Sequence, residues 1–270
     1  ILILAPEYFF FFFNFASDYH ATLNGKNSFH AVRRILEMPL PKRPTVELHQ
    51  WTGVDELSLE NVEFMYPQNG SELTNLDLTV KGNQKIGIIG MSGAGKTTLI
   101  NLLSGFLAPT SGQITIQGKK VTTLDIYDWQ KQILYIPQTP YIFADTLKNN
   151  IAFYTPNVSE DKIKEAIHVV GLDNLVAELP QGLGTMIGSG HRALSGGQAQ
   201  RIALARAFLD PERRVMIFDE PTAHLDIETE LELKKRMLPL MENRLVFFAT
   251  HRLHWMKQMD YILVLKNGKL

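Results

Sequence analysis

After residue 56 the chain is a series of short apolar runs, separated by polar segments that contain glycine, asparagine or proline. Some runs alternate with polar positions, and others are apolar throughout, as in strands buried on both faces. The predicted strands cover residues 56–64, 76–80 (after a turn at Asn69-Gly70), 86–89, 113–117, 133–136, 215–218, 245–249 and 261–265. The predicted helices cover residues 99–103, 158–170 and 194–207. This alternation indicates an α/β fold whose parallel sheet is covered on both faces.

The first residues follow another pattern, with an apolar start and five consecutive phenylalanines at Phe9–Phe13. The stretch is shorter than the ~20 residues that a membrane-spanning helix needs, and Glu7 interrupts it. It fits either a buried core helix or the end of a transmembrane helix whose beginning lies outside this sequence. Because an exposed phenylalanine run would promote aggregation, we expect lipid or another chain to cover it. We therefore favour the transmembrane interpretation.

Apolar residues at helical spacing continue over residues 14–38, and a proline-rich segment then ends the helix. The prolines are Pro39, Pro41 and Pro44. Lys42 and Arg43 lie in this segment, and basic residues just after a membrane segment usually mark the cytoplasmic side. We predict the end of a transmembrane helix and its extension over residues 1–38, a linker over 39–56 and one folded domain over 57–270. We expect the sequence to be a piece of a longer protein.

Composition narrows the possible partners. Of the 270 residues, 45% are hydrophobic and 20% are charged, which is ordinary for a globular protein with a core. The formal net charge of -1 provides no basic field, so no nucleic acid partner is expected. The sequence has no cysteine, which excludes disulfides, thiolate metal sites and a thiol nucleophile.

A phosphate-binding loop is the first motif that carries chemistry. Residues 90–97 fit G-x-x-x-x-G-K-[ST], between an apolar run and a helix-forming segment. Its backbone N–H groups and the following helix N-terminus would bind the phosphates of ATP. Lys96 would reach the β- and γ-phosphates, and the Thr97 hydroxyl would bind Mg²⁺. The predicted nucleotide-binding residues of this loop are Gly90, Ser92, Gly93, Ala94, Gly95, Lys96, Thr97 and Thr98. The alternative is a glycine-rich turn that fits by chance.

Two carboxylates follow the apolar run of residues 215–218. Many buried strands end in an acid, so this feature is weak alone. With a phosphate-binding loop upstream, it is typical of the partner strand of a P-loop ATPase. Asp219 would hold Mg²⁺, and Glu220 would act as the general base toward the attacking water.

A third motif, Leu194-Ser195-Gly196-Gly197-Gln198, begins a helix. A serine and two glycines before a helix form an anion-binding N-terminus, although a capped surface helix would look the same. The motif resembles the signature sequence of ABC-type ATPases, which place it between the phosphate-binding loop and the Asp-Glu strand, as this chain does. The resemblance implies an ABC-type P-loop NTPase, with a parallel-sheet core, an antiparallel β subdomain and an inserted helical subdomain at about residues 138–209.

The resemblance assigns further residues. Tyr66 is similar to the aromatic residue that stacks on adenine, although a tyrosine beside Pro67 also fits a core or turn position. Gln138 resembles the glutamine that senses Mg²⁺, and His251 resembles the switch histidine that contacts the γ-phosphate. Asp226 lies in a loop that resembles the one crossing to the partner subunit. His224, in the same loop, stands where a small residue is more common, and a solvated position is the simpler interpretation.

The resemblance also implies how the domain works. Two ATP molecules would lie in a head-to-tail dimer, where Ser195, Gly196, Gly197 and Gln198 of one subunit face the phosphate-binding loop of the other. Hydrolysis by Glu220, Lys96 and His251 would open the dimer and drive a transmembrane domain. Residues 1–38 and Phe143–Ile151 favour an exporter over a DNA-acting ABC ATPase or a separate importer ATPase.

A narrower resemblance covers nearly the whole chain. Residues 4–9, 18–21, 197–201 and 222–226 are similar to the CydD family, one half of the heterodimeric CydDC thiol exporters of the bacterial inner (plasma) membrane. This implies export of cysteine or glutathione for cytochrome bd assembly, a CydC-like partner, and an ATPase domain on the cytoplasmic side. Phe10–Phe13 depart from that family's usual mixture. An exporter of a lipid, peptide or drug would carry the same ATPase motifs, and a soluble ABC ATPase is the more distant alternative.

Overall fold

The computed structural model describes residues 5–38, 43–67 and 72–270. The predicted turn at Asn69-Gly70, the apolar start at residues 1–4 and the linker residues 39–42 lie outside this part. The chain divides into two compact units, Ile1–Arg43 and Pro44–Leu270. The first unit contains one helix, and the second contains the sheets and the remaining helices.

The described residues form eight α-helices and eleven strands. The helices are α1 (Ala5–Leu36), α2 (Lys96–Leu103), α3 (Tyr127–Lys131), α4 (Leu147–Ile151), α5 (Glu160–Val169), α6 (Asp173–Glu178), α7 (Gly196–Leu209) and α8 (Ile227–Leu240). The strands are β1 (Glu56–Met65), β2 (Glu72–Lys81), β3 (Lys85–Gly90), β4 (Ser111–Ile116), β5 (Lys119–Val121), β6 (Ile133–Ile136), β7 (Asp145–Thr146), β8 (Met186–Ile187), β9 (Val215–Asp219), β10 (Leu245–Ala249) and β11 (Tyr261–Leu265).

A five-stranded sheet in the order β11-β3-β10-β9-β6 forms the centre of the second unit, and all of its pairs are parallel. Successive side chains of a strand point to opposite faces, and the two cores follow this alternation. Val215 and Ile217 lie in one buried cluster, whereas Met216 and Phe218 lie in the other. The prediction of a parallel sheet covered on both faces is therefore confirmed.

The first face packs against a second sheet, which is antiparallel and has the order β2-β1-β4-β5. Its apolar side chains share a cluster with α2 and with Trp51 and Trp129, whose rings meet edge to face at 5.7 Å. The second face packs against α5 and α7, with Ile163 and Leu204 fully buried. The parallel-sheet core and the antiparallel β layer are as predicted.

Helix α1 is continuous over 32 residues and includes the phenylalanine run. The side chains of Phe9–Phe13 are all more than half exposed in this unit. None of the helices in the described part of the chain is both long enough and apolar enough to cross a membrane.

Candidate functional site

The phosphate-binding loop connects the carboxyl end of β3 to the start of α2, as the motif predicts. Gly95 occupies the helix N-cap with φ +103°, and it offers no side chain to cap the first N–H groups of α2. A Cβ at Gly95 would lie 2.6 Å from Leu73 Cδ2, and a Cβ at Gly90 would lie 2.5 Å from the Leu265 carbonyl oxygen. Glycine is therefore required at both positions, and the uncapped N–H groups are free to bind an anion.

Lys96, the first residue of α2, is buried. Its Nζ donates hydrogen bonds to the carbonyl oxygens of Gly90, at 2.9 Å, and Met91, at 3.2 Å. The same Nζ lies 3.9 Å from Glu220 Oε1. The loop carbonyls thus hold the ammonium group inside the turn, where it can exchange these acceptors for phosphate oxygens.

Asp219 ends β9 as a buried carboxylate beside the loop. Burial raises its pKa, a hydrogen bond from the Thr97 hydroxyl lowers it, and the nearby Glu220 charge raises it. Burial, with a contribution from Asp219, also raises the pKa of Tyr135 to about 12. A hydroxyl and a carboxylate oxygen in contact form the hard oxygen donor set that Mg²⁺ prefers, so the residues present fit this ion.

The raised pKa of Asp219 predicts how the free energy of unfolding depends on pH. Above that pKa the buried Asp219 carboxylate is charged at a cost to the folded state, and the cost disappears as pH falls toward the ordinary aspartate value. In metal-free buffer, Asp219→Asn should therefore raise the free energy of unfolding at neutral pH but not in acid, whereas ATP turnover is lost. Urea unfolding with a chelator measures this, with exposed Asp161→Asn as the control. A variant destabilised at neutral pH would contradict the prediction.

Glu220 and His251 meet beside the loop. His251 Nδ1 lies 2.7 Å from Glu220 Oε2, and because a carboxylate only accepts, the imidazole donates this bond. Glu220 has φ +48°, in the left-handed region of backbone conformation that residues other than glycine and asparagine rarely adopt. Its N–H donates to the Ala249 carbonyl at 2.9 Å, which holds this backbone in place. Strain of this kind is common at functional sites.

The signature segment forms the N-terminus of α7. Ser195 is the N-cap, its Oγ accepts from the Gln198 N–H at 3.2 Å, and Gln198 Oε1 accepts from the Ser195 N–H at 2.9 Å. This reciprocal capping box fixes the turn. Ser195 and Gly196 are exposed. The turn therefore presents its surface outward.

Tyr66 lies just after β1 and is half-buried. Its ring meets Phe64 edge to face at 4.7 Å, and Phe64 pairs with Leu73, the residue closest to a Cβ at Gly95. The structure thus connects Tyr66 to the phosphate-binding loop through packed side chains. Its predicted adenine contact remains a proposal, because the same packing also suits a tyrosine at the core edge.

The structure does not bring Gln138 or Asp226 into hydrogen-bonded contact with the loop within the described residues. Gln138 follows β6 and is exposed at the edge where β9 also ends. Asp226 is the N-cap of α8, with Oδ1 accepting from the Thr229 N–H at 2.9 Å. That backbone hydrogen bond and one from the Thr229 hydroxyl lower the pKa of Asp226. Their assigned roles remain proposals.

Sequence reasoning missed three polar residues behind these loops, namely the fully buried Gln200 and Glu230 and the partly buried Arg252. Gln200 Nε2 donates to the Glu220 carbonyl at 3.4 Å. Glu230 accepts hydrogen bonds from Thr222, Trp255 and Arg252. No local pattern distinguishes Gln200 on α7, because Gln198 and Arg201 beside it are polar as well.

Comparison with known proteins agrees with this geometry. The family model described as ABC transporter matches residues 73–223. The "Glutathione/L-cysteine transport system ATP-binding/permease protein CydC" of Bacillus subtilis (strain 168) is 53% identical over 270 residues, which are 100% of this chain and 47% of that protein. An "ATP-dependent lipid A-core flippase" of Syntrophus aciditrophicus (strain SB) is 36% identical over 216 residues, which are 80% of this chain and 36% of the flippase.

A solved structure shows the same fold. The "Structure of a bacterial Atm1-family ABC exporter with ATP bound" superposes with a TM-score of 0.78 at 28% identity, covering 93% of this chain and 44% of that chain. This chain therefore spans about half or less of the length of the relatives that it matches.

Proposed function

This chain belongs to the ABC transporter family of ATP-hydrolysing transporters, and from that premise we propose that it is the ATPase domain of an exporter half-transporter. The observation that carries the proposal is the cluster at the carboxyl edge of the parallel sheet. There Lys96, Thr97 and Asp219 lie with Glu220 and its partner His251. These residues supply a cation that binds phosphate, a pair of oxygens that binds the metal, and a general base.

ATP would bind with its phosphates in the loop and its adenine near Tyr66. The loop N–H groups and Lys96 would hold the β- and γ-phosphates. Thr97 and Asp219, with Gln138, would hold Mg²⁺, which when bound neutralises charge on the phosphate oxygens. Glu220 would accept a proton from the attacking water, while the His251 N–H holds the carboxylate in position.

The exposed signature turn supports a dimer. The N-terminus of α7 attracts anions and faces away from its own chain. An ATP bound by one chain would therefore meet Ser195 and Gly196 of the partner. We propose that this chain pairs with a second half-transporter and drives the transmembrane domains of both. Residues 1–38 would lead from the membrane, and the ATPase domain would lie on the cytoplasmic side of the bacterial plasma membrane.

Identity favours a thiol as cargo. The similarity to the glutathione and cysteine transport protein covers the whole chain at 53%, against 36% over 80% of it for the lipid flippase. The name of that relative is CydC, whereas the sequence motifs resembled CydD, the other half of the same two-part exporter. We propose that this chain is one half of a CydDC-type exporter, that the other half is its partner, and that thiol export serves cytochrome bd assembly. An exporter of lipid, peptide or drug is the alternative.

Transport in inverted vesicles tests the cargo. With the complete protein and its partner in the membrane, labelled cysteine or glutathione should accumulate inside the vesicles only when ATP is added. Glu220→Gln should abolish the accumulation, and exposed Glu232→Gln on α8 should leave it unchanged. Active ATP hydrolysis without thiol accumulation would overturn the thiol assignment and keep the exporter ATPase. No hydrolysis by the wild-type complex would overturn both.

A further inference from the structure

His224 connects parts of the site that sequence reasoning treated separately. It lies in the loop between β9 and α8, and its side chain is exposed, as a solvated position predicts. However, His224 Nδ1 lies 3.0 Å from Oε1 of Gln200, a fully buried residue of α7. Gln200 Nε2 donates in turn to the backbone carbonyl of Glu220 at 3.4 Å. A relay of two hydrogen bonds therefore joins His224 to the backbone of Glu220.

The acceptors fix the direction of this relay. The Glu220 carbonyl only accepts, so the amide nitrogen of Gln200 must face it and the amide oxygen must face His224. His224 Nδ1 must then carry a proton and donate it. If this donor were lost, the buried amide oxygen of Gln200 would have no hydrogen-bond partner. The free-energy cost of that unpaired oxygen exceeds the net stabilisation that the hydrogen bond provides.

The ring also packs against the signature turn. A Cβ at Gly196 would lie 3.2 Å from Cδ2 and 3.3 Å from Cγ of His224. A Cβ at Gly197 would lie 3.2 Å from the His224 carbonyl oxygen. The two glycines therefore let the loop after β9 lie directly on the start of α7, and the imidazole covers Gly196.

We propose that His224 is a positioning residue that couples the signature turn to Glu220 through Gln200. The inference rests on the proposed function, in which the signature turn serves the partner's ATP and Glu220 serves this chain's own ATP. A shift of the α7 N-terminus would then break either the ring contact with Gly196 or the relay to Glu220. The position of one ATP site therefore depends on that of the other.

Steady-state ATP hydrolysis by the complete transporter with its partner tests this coupling. His224→Ala removes the donor and the ring, and the loss of one buried hydrogen bond behind the general base should lower kcat, expressed per ATP-binding molecule, about fivefold. His224→Asn should restore most of the wild-type kcat, because the Asn amide nitrogen occupies the place of Nδ1. Adding Gln200→Ala to His224→Ala should produce little further change, since both residues act through one contact. Exposed His168→Ala on α5 is the matched control.

Three results would overturn the proposal. One is a wild-type kcat in His224→Ala while Glu220→Gln abolishes turnover. Another is a kcat that falls only in proportion to the fraction of molecules that still bind ATP, which is the result of a smaller folded fraction and thus of a purely structural role. The third is failure of His224→Asn to differ from His224→Ala. If Glu220→Gln turns over ATP at the wild-type rate, the proposed function itself fails, and this outcome is distinct from the others.

Discussion

Glu220→Gln should lower ATP turnover at least about 100-fold while ATP binding is kept, because general-base catalysis contributes about that much or more. The amide preserves the length of the side chain but cannot take a proton from water. The His251 N–H, 2.7 Å from Oε2 in the wild type, can still donate to the amide oxygen. The backbone bond from the Glu220 N–H to Ala249 is unaffected. The change thus removes the base and leaves the site assembled.

Phosphate release and equilibrium ATP binding, measured on the complete transporter, separate the two effects. Glu232→Gln is the matched control, because it makes the same chemical change on an exposed position of α8. Glu220→Gln should hold ATP and accumulate in the closed dimer. Turnover at the parental rate would remove Glu220 from the role of base, and loss of ATP binding would show that the substitution disturbs the loop instead.

The parts of the site that sequence could predict are those in which one short segment determines both conformation and chemistry. Residues 90–97 contain the glycines, the lysine and the hydroxyl of the loop, and the apolar run before them predicts the strand. Asp219 and Glu220 follow another apolar run directly. The carboxyl ends of parallel strands meet at one edge, so the proximity of these two segments follows from the fold class.

Other parts depend on pairings that no local pattern encodes. Gln200 and His224 are 24 positions apart, and neither residue type indicates the other. Strands β7 and β8 have two residues each, too few for alternation to be seen. The sequence analysis correctly predicted that His224 is exposed to solvent, but it missed the hydrogen bond between His224 and Gln200. Periodicity reports which face a residue occupies, whereas a hydrogen bond depends on where two loops meet.

Glu230 should be a residue whose loss strongly destabilises the domain although it binds no nucleotide. Its side chain is fully buried, and Oε1 accepts from the Thr222 hydroxyl at 2.6 Å and from Trp255 Nε1 at 2.8 Å. Oε2 accepts from the Arg252 guanidinium, which also donates to the Leu225 carbonyl at 3.0 Å. One carboxylate therefore joins the loop after β9 to the loop after β10, which contains His251.

Glu230→Ala should lower the free energy of unfolding by about 3 kcal/mol, because it leaves a partly buried guanidinium without its counter-ion and two donors without acceptors. Glu230→Gln should lose less, since the amide oxygen still accepts. Urea unfolding of the whole chain measures this, with Glu232→Ala on the exposed side of the same helix as the control. Arg252→Ala combined with Glu230→Ala should be less destabilising than the sum of the single changes. Equal stability of Glu230→Ala and Glu232→Ala would show that the buried contacts contribute nothing to holding the two loops together.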